Sequence, residues 1–70
     1  MMPLRLATPG EENIILKVGG NPAVRKRLED LGFVAGATVK IVSMIEGNLI
    51  VNVKETRIAI NEEMVGKIMV

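Results

Sequence analysis

Apolar and polar residues alternate along several short runs of the chain, which is the pattern of a β-strand with one buried face. In the first run Ile14, Leu16 and Val18 fall on one face, while Lys17 falls on the other. Gly19-Gly20 ends this run. The pattern predicts five strands, at 13–18, 38–45, 49–54, 57–60 and 66–70.

A different spacing between the first two strands predicts a helix. Asn21 has a side chain suited to the N-cap, and Pro22 occupies the first helical position, where a missing N–H costs nothing. Val24, Leu28 and Leu31 recur at the spacing of one helix face, which we expect to point into the core. Gly32 stands where a left-handed residue ends a helix. A second cap residue, Asn61, predicts a brief helical turn before the last strand.

The two central runs predict a β-hairpin, with Glu46-Gly47-Asn48 at its tip. One side of this hairpin is strongly apolar, because Leu49, Val51 and Val53 alternate with polar residues. Val42, Met44 and Ile50 place further apolar residues on the other side. We therefore select Val42, Met44 and Ile50 as candidate exposed contact residues.

The order of these elements indicates the fold. Five short strands are too few for a sandwich, and open edges favour aggregation unless the sheet curls. The sequence therefore predicts an all-β fold with one inserted helix, in the form of a small SH3-like barrel of about five strands. No repeat, linker or low-complexity tract interrupts the chain, so we expect a single domain over residues 1–70.

The composition argues against catalysis. The chain has no histidine and no cysteine, which removes the usual general base, nucleophile pairs and transition-metal ligands. Adjacent carboxylates such as Glu62-Glu63 diverge on a helix or a strand, so they make no ready chelate. We assign no catalytic, cofactor-binding or metal-binding residue and predict that the protein is not an enzyme.

One charged run stands out in an otherwise balanced chain, which has nine Lys and Arg against eight Asp and Glu. The run Arg25-Lys26-Arg27 falls in the first turns of the predicted helix, and Glu29-Asp30 fall in the last. Both placements oppose the helix dipole, so local helix stability does not explain them. A partner contact explains the run, and so does a solvated face or pairing with carboxylates elsewhere.

Hydropathy excludes a membrane span, since the longest apolar runs are far shorter than the roughly 20 residues that cross a bilayer. Almost half of the residues, 49%, are nevertheless hydrophobic. In so small a body some of these side chains stay on the surface, where they indicate a docking face. The absence of cysteine is consistent with a reducing cytoplasm.

The segment 27–39, RLEDLGFVAGATV, resembles the R-L-x-x-L-G-F-x-x-G-x-x-V core of FeoA proteins. Pro9-Gly10-Glu11 is similar to the lead-in of that family, and Arg57-Ile58-Ala59-Ile60 to its R-I-A-L strand. The resemblance implies a stand-alone SH3-like protein of the cytoplasm. It also implies docking to a membrane ferrous iron transporter that carries a GTPase domain (FeoB-like). The hairpin tip differs from the Gly-Asp-Pro found in many members.

The partner-binding residues that we predict are Arg25, Lys26, Arg27, Val42, Met44 and Ile50. Other functions stay open at this point. A nucleic-acid-binding barrel is the main alternative, although its stacking platforms normally need aromatic residues and the chain has only Phe33. The same shortage argues against a proline-rich peptide groove. Direct binding of iron is the remaining alternative.

Overall fold

The computed structural model describes residues 1–70 as six strands, two α-helices and one 3-10 turn. The strands are β1 (Glu12–Ile14), β2 (Lys17–Val18), β3 (Thr38–Ile45), β4 (Asn48–Val53), β5 (Thr56–Ile60) and β6 (Ile68–Met69). The helices are α1 (Pro22–Asp30) and α2 (Glu62–Val65), and the 3-10 turn is Leu4–Leu6. All strand pairs are antiparallel, in a four-stranded sheet of order β1-β3-β4-β5 and a two-stranded ribbon of β2 and β6. A mostly β fold with a helix inserted early in the chain is what the sequence predicts.

The predicted first strand, 13–18, is bent into β1 and β2 at a corner of the barrel. The N–H of Ile15 donates to the carbonyl of Ala37 at 2.9 Å, whereas the next N–H, that of Leu16, donates to Met69 at 2.8 Å. The chain thus changes hydrogen-bonding partners between adjacent residues. As a result Ile15 is fully buried, and Ile14 and Leu16 are each more than half exposed. The prediction that Ile14 and Leu16 share a buried face is therefore wrong.

Both hairpins of the four-stranded sheet close with two residues at positive φ, as in a type I′ turn. Glu46 and Gly47 (φ 45° and 84°) connect β3 to β4, as the sequence indicates. Lys54 and Glu55 (φ 48° and 64°) connect β4 to β5, although neither is a residue that favours this conformation. The sequence therefore does not mark the second turn.

Helix α1 begins and ends as its sequence predicts. The Asn21 side chain accepts a hydrogen bond from the Val24 N–H at 2.9 Å. At the other end Gly32 has a φ of 107°, its N–H donates to Glu29, and the Phe33 N–H donates to Leu28, both at 2.9 Å. These two bonds form a Schellman motif, in which Leu28 and Phe33 are both fully buried.

The core lies between the four-stranded sheet, the ribbon and α1, and contains 13 buried apolar side chains. They are Leu4, Ala7, Ile15, Leu28, Phe33, Val39, Ile41, Leu49, Val51, Val53, Ile60, Val65 and Ile68. Of the three α1 residues predicted to face the core, Leu28 is buried and Val24 packs at its margin. Leu31 is 38% exposed, because α1 ends at Asp30 and the chain turns away at Gly32. No buried polar or charged side chain interrupts the core.

Candidate functional site

A β-bulge at Val42 changes which residues of β3 face outward. Ile41 pairs with Val51, and the next pair is Ser43 with Ile50, so Val42 is an extra residue in β3. In a bulge, two residues of one strand lie opposite one residue of the other, and the side-chain alternation shifts by one position. Between the bulge and the hairpin tip, each side chain of β3 therefore lies on the face opposite to the one that simple alternation predicts.

The bulge separates the three apolar residues predicted to share the outer side of the hairpin. Ile50 lies opposite Ser43 on the outer face, and Val42 lies beside Ser43 at 37% exposure. Met44 lies opposite Leu49, whose side chain belongs to the core. Met44 is therefore on the inner face, at the open end of the barrel, where 61% of it remains exposed. The prediction that Met44 shares a face with Ile50 is wrong.

The same shift brings a residue that the sequence analysis missed onto the outer face. Ile45 lies opposite Asn48, on the side of Ile50, and is 56% exposed. The outward apolar residues of the hairpin are therefore Val42, Ile45 and Ile50. We call these three, together with Met44 on the inner side, the hairpin surface. Ile45 belongs to the hairpin surface because of the bulge, which the sequence does not reveal.

Met44 borders an apolar groove of about 280 Å³ between the hairpin tip, the 3-10 turn and α2. Leu6, Leu49 and Val65 supply the other apolar lining, and Leu6 is 64% exposed. At the rim an Arg5 Nη1 lies 3.8 Å from a Glu62 carboxylate oxygen, and both side chains are more than half exposed. Leu6 and Arg5 lie far from the hairpin in sequence, so no local pattern predicts this groove.

The basic run lies on the exposed surface of α1. Lys26 Nζ is 3.9 Å from an Asp30 oxygen one turn later, so part of the charge order is explained by an intrahelical ion pair. Arg27 lies in the last turn, where its charge favours the helix dipole, contrary to the sequence analysis. Neither Arg25 nor Arg27 forms an ion pair within 4.0 Å. Arg25 is the residue of the run whose charge nothing in the fold explains.

The end of α1, which follows the basic run, and the hairpin tip lie at different ends of β4. The end of α1 packs beside Val53 and Lys54, since a Cβ on Gly32 would lie 3.5 Å from Lys54 Cδ and 3.8 Å from Val53 Cγ1. The hairpin tip lies at the beginning of β4, beside Glu62. Six strand residues separate these ends by about 17 Å. The structure thus offers two candidate surfaces in place of one.

No three His, Cys, Asp or Glu side chains come together to hold a metal ion. No helix of the structure is long and apolar enough to cross a membrane.

Several solved structures with the same architecture are FeoA proteins. A crystal structure of an iron uptake regulatory protein, FeoA, superposes with a TM-score of 0.88 at 28% identity, over 97% of this chain and 92% of that chain. Stenotrophomonas maltophilia FeoA, crystallised in complex with zinc and described as an SH3 domain protein, superposes with a TM-score of 0.84 at 27% identity. That match covers 99% of this chain and 88% of the other. The predicted SH3-like fold is confirmed.

The sequence comparisons agree with the structural ones. The family model of the FeoA domain matches residues 2–70. A protein of Methanocaldococcus jannaschii with the provisional name Fe(2+) transport protein A is 34% identical over 70 residues, which are 100% of this chain and 85% of the relative. The resemblance seen in segment 27–39 thus extends over the whole chain. This protein belongs to the FeoA family, whose small SH3-like members are non-catalytic accessory proteins of ferrous iron transport.

Proposed function

We propose that this FeoA protein docks, in the cytoplasm, onto the GTP-binding part of a membrane ferrous iron transporter and modulates it. Membership of the FeoA family supports a role in ferrous iron transport without catalysis. The transporter's GTPase domain as the partner is an expectation from the family resemblance. We further propose that the whole chain acts as one docking unit.

The observation that carries this proposal is the concentration of exposed apolar side chains on the distal half of one hairpin. Within four residues of β3, Val42, Met44 and Ile45 are 37%, 61% and 56% exposed. The bulge directs them to two sides of the hairpin, so a partner that receives the tip contacts both. Burial of such residues favours association, because it removes apolar surface from water.

The basic run of α1 is a second docking candidate because it offers charge in place of apolar area. Arg25 and Arg27 are exposed and free of carboxylate partners, so an acidic surface of the transporter domain fits them. Charge at the rim of an interface mainly accelerates association, whereas central apolar residues determine how long the complex lasts. We therefore assign affinity to the hairpin surface and association rate to α1.

The proposal is tested by titrating the isolated GTP-binding domain of the transporter from the same organism with this protein, by calorimetry or fluorescence anisotropy. Saturable binding that weakens when hairpin residues are replaced supports it. Absence of binding at tens of micromolar with the native sequences of both partners contradicts it. A mobility-shift assay with single-stranded RNA and DNA at several salt concentrations tests the nucleic-acid alternative in parallel.

A further inference from the structure

One surface cleft has lining charges of only one sign. It has a volume of about 270 Å³, lies on the β2–β6 ribbon, and is lined by Lys17 and Lys67 with no carboxylate. Each of the other three clefts of the protein combines basic and acidic lining residues. We call this feature the lysine cleft.

The ribbon register explains why both lysines border the same cleft. Lys17 lies opposite Met69, and the Gly19 N–H donates to the Lys67 carbonyl at 2.7 Å. Residues 17 and 19 therefore share a ribbon face with residues 67 and 69, while Val18 and Ile68 point to the opposite side and Ile68 is fully buried. Lys17 and Lys67 are diagonal neighbours on this face, with their Cβ atoms about 7 Å apart. Both lysine side chains therefore border the same cleft.

Three glycines line the cleft, Gly19, Gly20 and Gly66. At two of these positions the backbone conformation does not require glycine. Gly19 lies opposite Lys67 at negative φ, and an added Cβ would meet only the Lys67 carbonyl, at an ordinary 3.6 Å. Gly66 has a φ of −64° and likewise tolerates a Cβ, whose nearest neighbours lie at 3.5 and 3.6 Å. Only Gly20, at a φ of 95°, needs its glycine for conformation. Gly19 and Gly66 share a place in the lining of the cleft, where neither adds a side chain that would fill it.

The polar groups around the cleft are available to a ligand. The chain has two ion pairs, Arg5–Glu62 and Lys26–Asp30, and neither involves Lys17 or Lys67. Glu29 lines the neighbouring cleft with Lys17 but does not come within 4.0 Å of its ammonium group. The Gly20 N–H donates no hydrogen bond within the chain. Two ammonium groups and a free N–H thus border one open space.

We propose that the lysine cleft binds a phosphate group. A phosphate presents several strong acceptor oxygens with negative charge, and charge-assisted bonds to two lysines match that chemistry. A single carboxylate offers less charge and fewer oxygens. The phosphate of a lipid headgroup and that of a free phosphorylated small molecule share this chemistry, so the experiment includes one arm for each source.

The first arm follows backbone amide chemical shifts of the full chain by NMR during titration with pyrophosphate. We expect saturable shifts at Gly19, Gly20 and Lys67. In the double variant Lys17→Gln/Lys67→Gln we expect the affinity to fall at least about fivefold. The control Lys26→Gln/Lys40→Gln loses the same net charge elsewhere and keeps the native affinity. Gly19→Val, which fills the floor and suits a strand, weakens binding without removing charge. Unchanged amide spectra outside the cleft show that each variant is folded.

The second arm measures cosedimentation with vesicles of phosphatidylglycerol and, for comparison, of phosphatidylcholine alone. Binding to phosphatidylglycerol that is lost in Lys17→Gln/Lys67→Gln and kept in the control assigns the phosphate to a lipid headgroup. Pyrophosphate binding without vesicle binding assigns it to a free small molecule. The proposal is overturned when neither probe binds, or when the two double variants lose binding equally, because the interaction then follows net charge alone.

Discussion

Met44 lies directly opposite Leu49 across the β3–β4 hairpin, so the most exposed apolar side chain of this hairpin belongs to the core side of the sheet. Val42 causes this, since one extra residue in β3 shifts the alternation. The result is a hairpin with apolar side chains on both sides of its distal half.

The first prediction concerns Met44 as a docking residue. Met44→Ser removes an exposed apolar side chain, so we expect an unchanged free energy of unfolding but at least about fivefold weaker binding to the transporter's GTP-binding domain. Leu16→Ser is the matched control, because Leu16 is similarly exposed (55%) but lies at the corner between β1 and β2. Calorimetric titration measures both variants. Equal affinity of Met44→Ser and the native protein removes Met44 from the interface.

A second prediction compares two leucines of the α1 region. Leu28 is fully buried and Leu31 is 38% exposed. We expect Leu28→Ala to lower the free energy of unfolding by about 2–5 kcal/mol, because it leaves a cavity, and Leu31→Ala to lower it by about 1 kcal/mol or less. For so small a domain the first loss approaches the total stability. Urea unfolding followed by circular dichroism measures both, and equal losses contradict the observed end of α1.

A third prediction tests the corner between β1 and β2. Ile15→Ala truncates a fully buried side chain, so we expect a loss of about 2–5 kcal/mol, while Ile14→Ala truncates a side chain that is 58% exposed. A loss below about 1 kcal/mol is therefore expected for Ile14→Ala. Thermal unfolding of the two variants ranks them. The reverse ranking is what a continuous strand with Ile14 facing the core requires.

Elements whose information is local were predictable from the sequence. Asn21, Pro22 and Gly32 specify the beginning and end of α1 through hydrogen bonds and backbone conformation within a few residues. The bulge at Val42 was not predictable, because it depends on how β3 and β4 align over their whole length. The corner at Ile15 depends on Ala37 and Met69, which are distant in sequence. Simple alternation therefore misassigned Ile14, Leu16 and Met44.

The candidate site likewise has some features that the sequence predicts and others that it does not. Sequence patterns find exposed residues such as Val42 and Arg25, because charge and local alternation reveal them. The groove between Leu6 and Met44 and the lysine cleft between Lys17 and Lys67 need tertiary pairing to exist. Residues that are distant in sequence form both features. No short segment of the sequence therefore predicts the groove or the lysine cleft.

A fourth prediction concerns the turn between β4 and β5. Glu55 has a φ of 64°, and a non-glycine residue in this conformation costs roughly 1 kcal/mol or more. Glu55→Gly removes that strain, so we expect a gain of up to about 1 kcal/mol after the entropy of glycine in the unfolded chain is counted. Glu55→Ala removes the same carboxylate but keeps the Cβ, and serves as the control. A loss of stability in Glu55→Gly equal to that in Glu55→Ala contradicts the strained turn.

The last prediction separates the charge of Arg25 from its effect on the helix. Charge reversal at Arg25, Lys26 and Arg27 together mixes three effects, because Lys26 pairs with Asp30 and Arg27 favours the dipole at the end of α1. Arg25→Glu alone places a negative charge nearer the N-terminus, so we expect stability that is unchanged or higher by about 0.3–1 kcal/mol. Stopped-flow kinetics should show slower association with the transporter domain and an unchanged dissociation rate. Arg57→Glu, which changes the net charge equally on β5, is the control. A slower association in both variants indicates general electrostatic steering, and only a selective effect of Arg25→Glu assigns α1 to the interface.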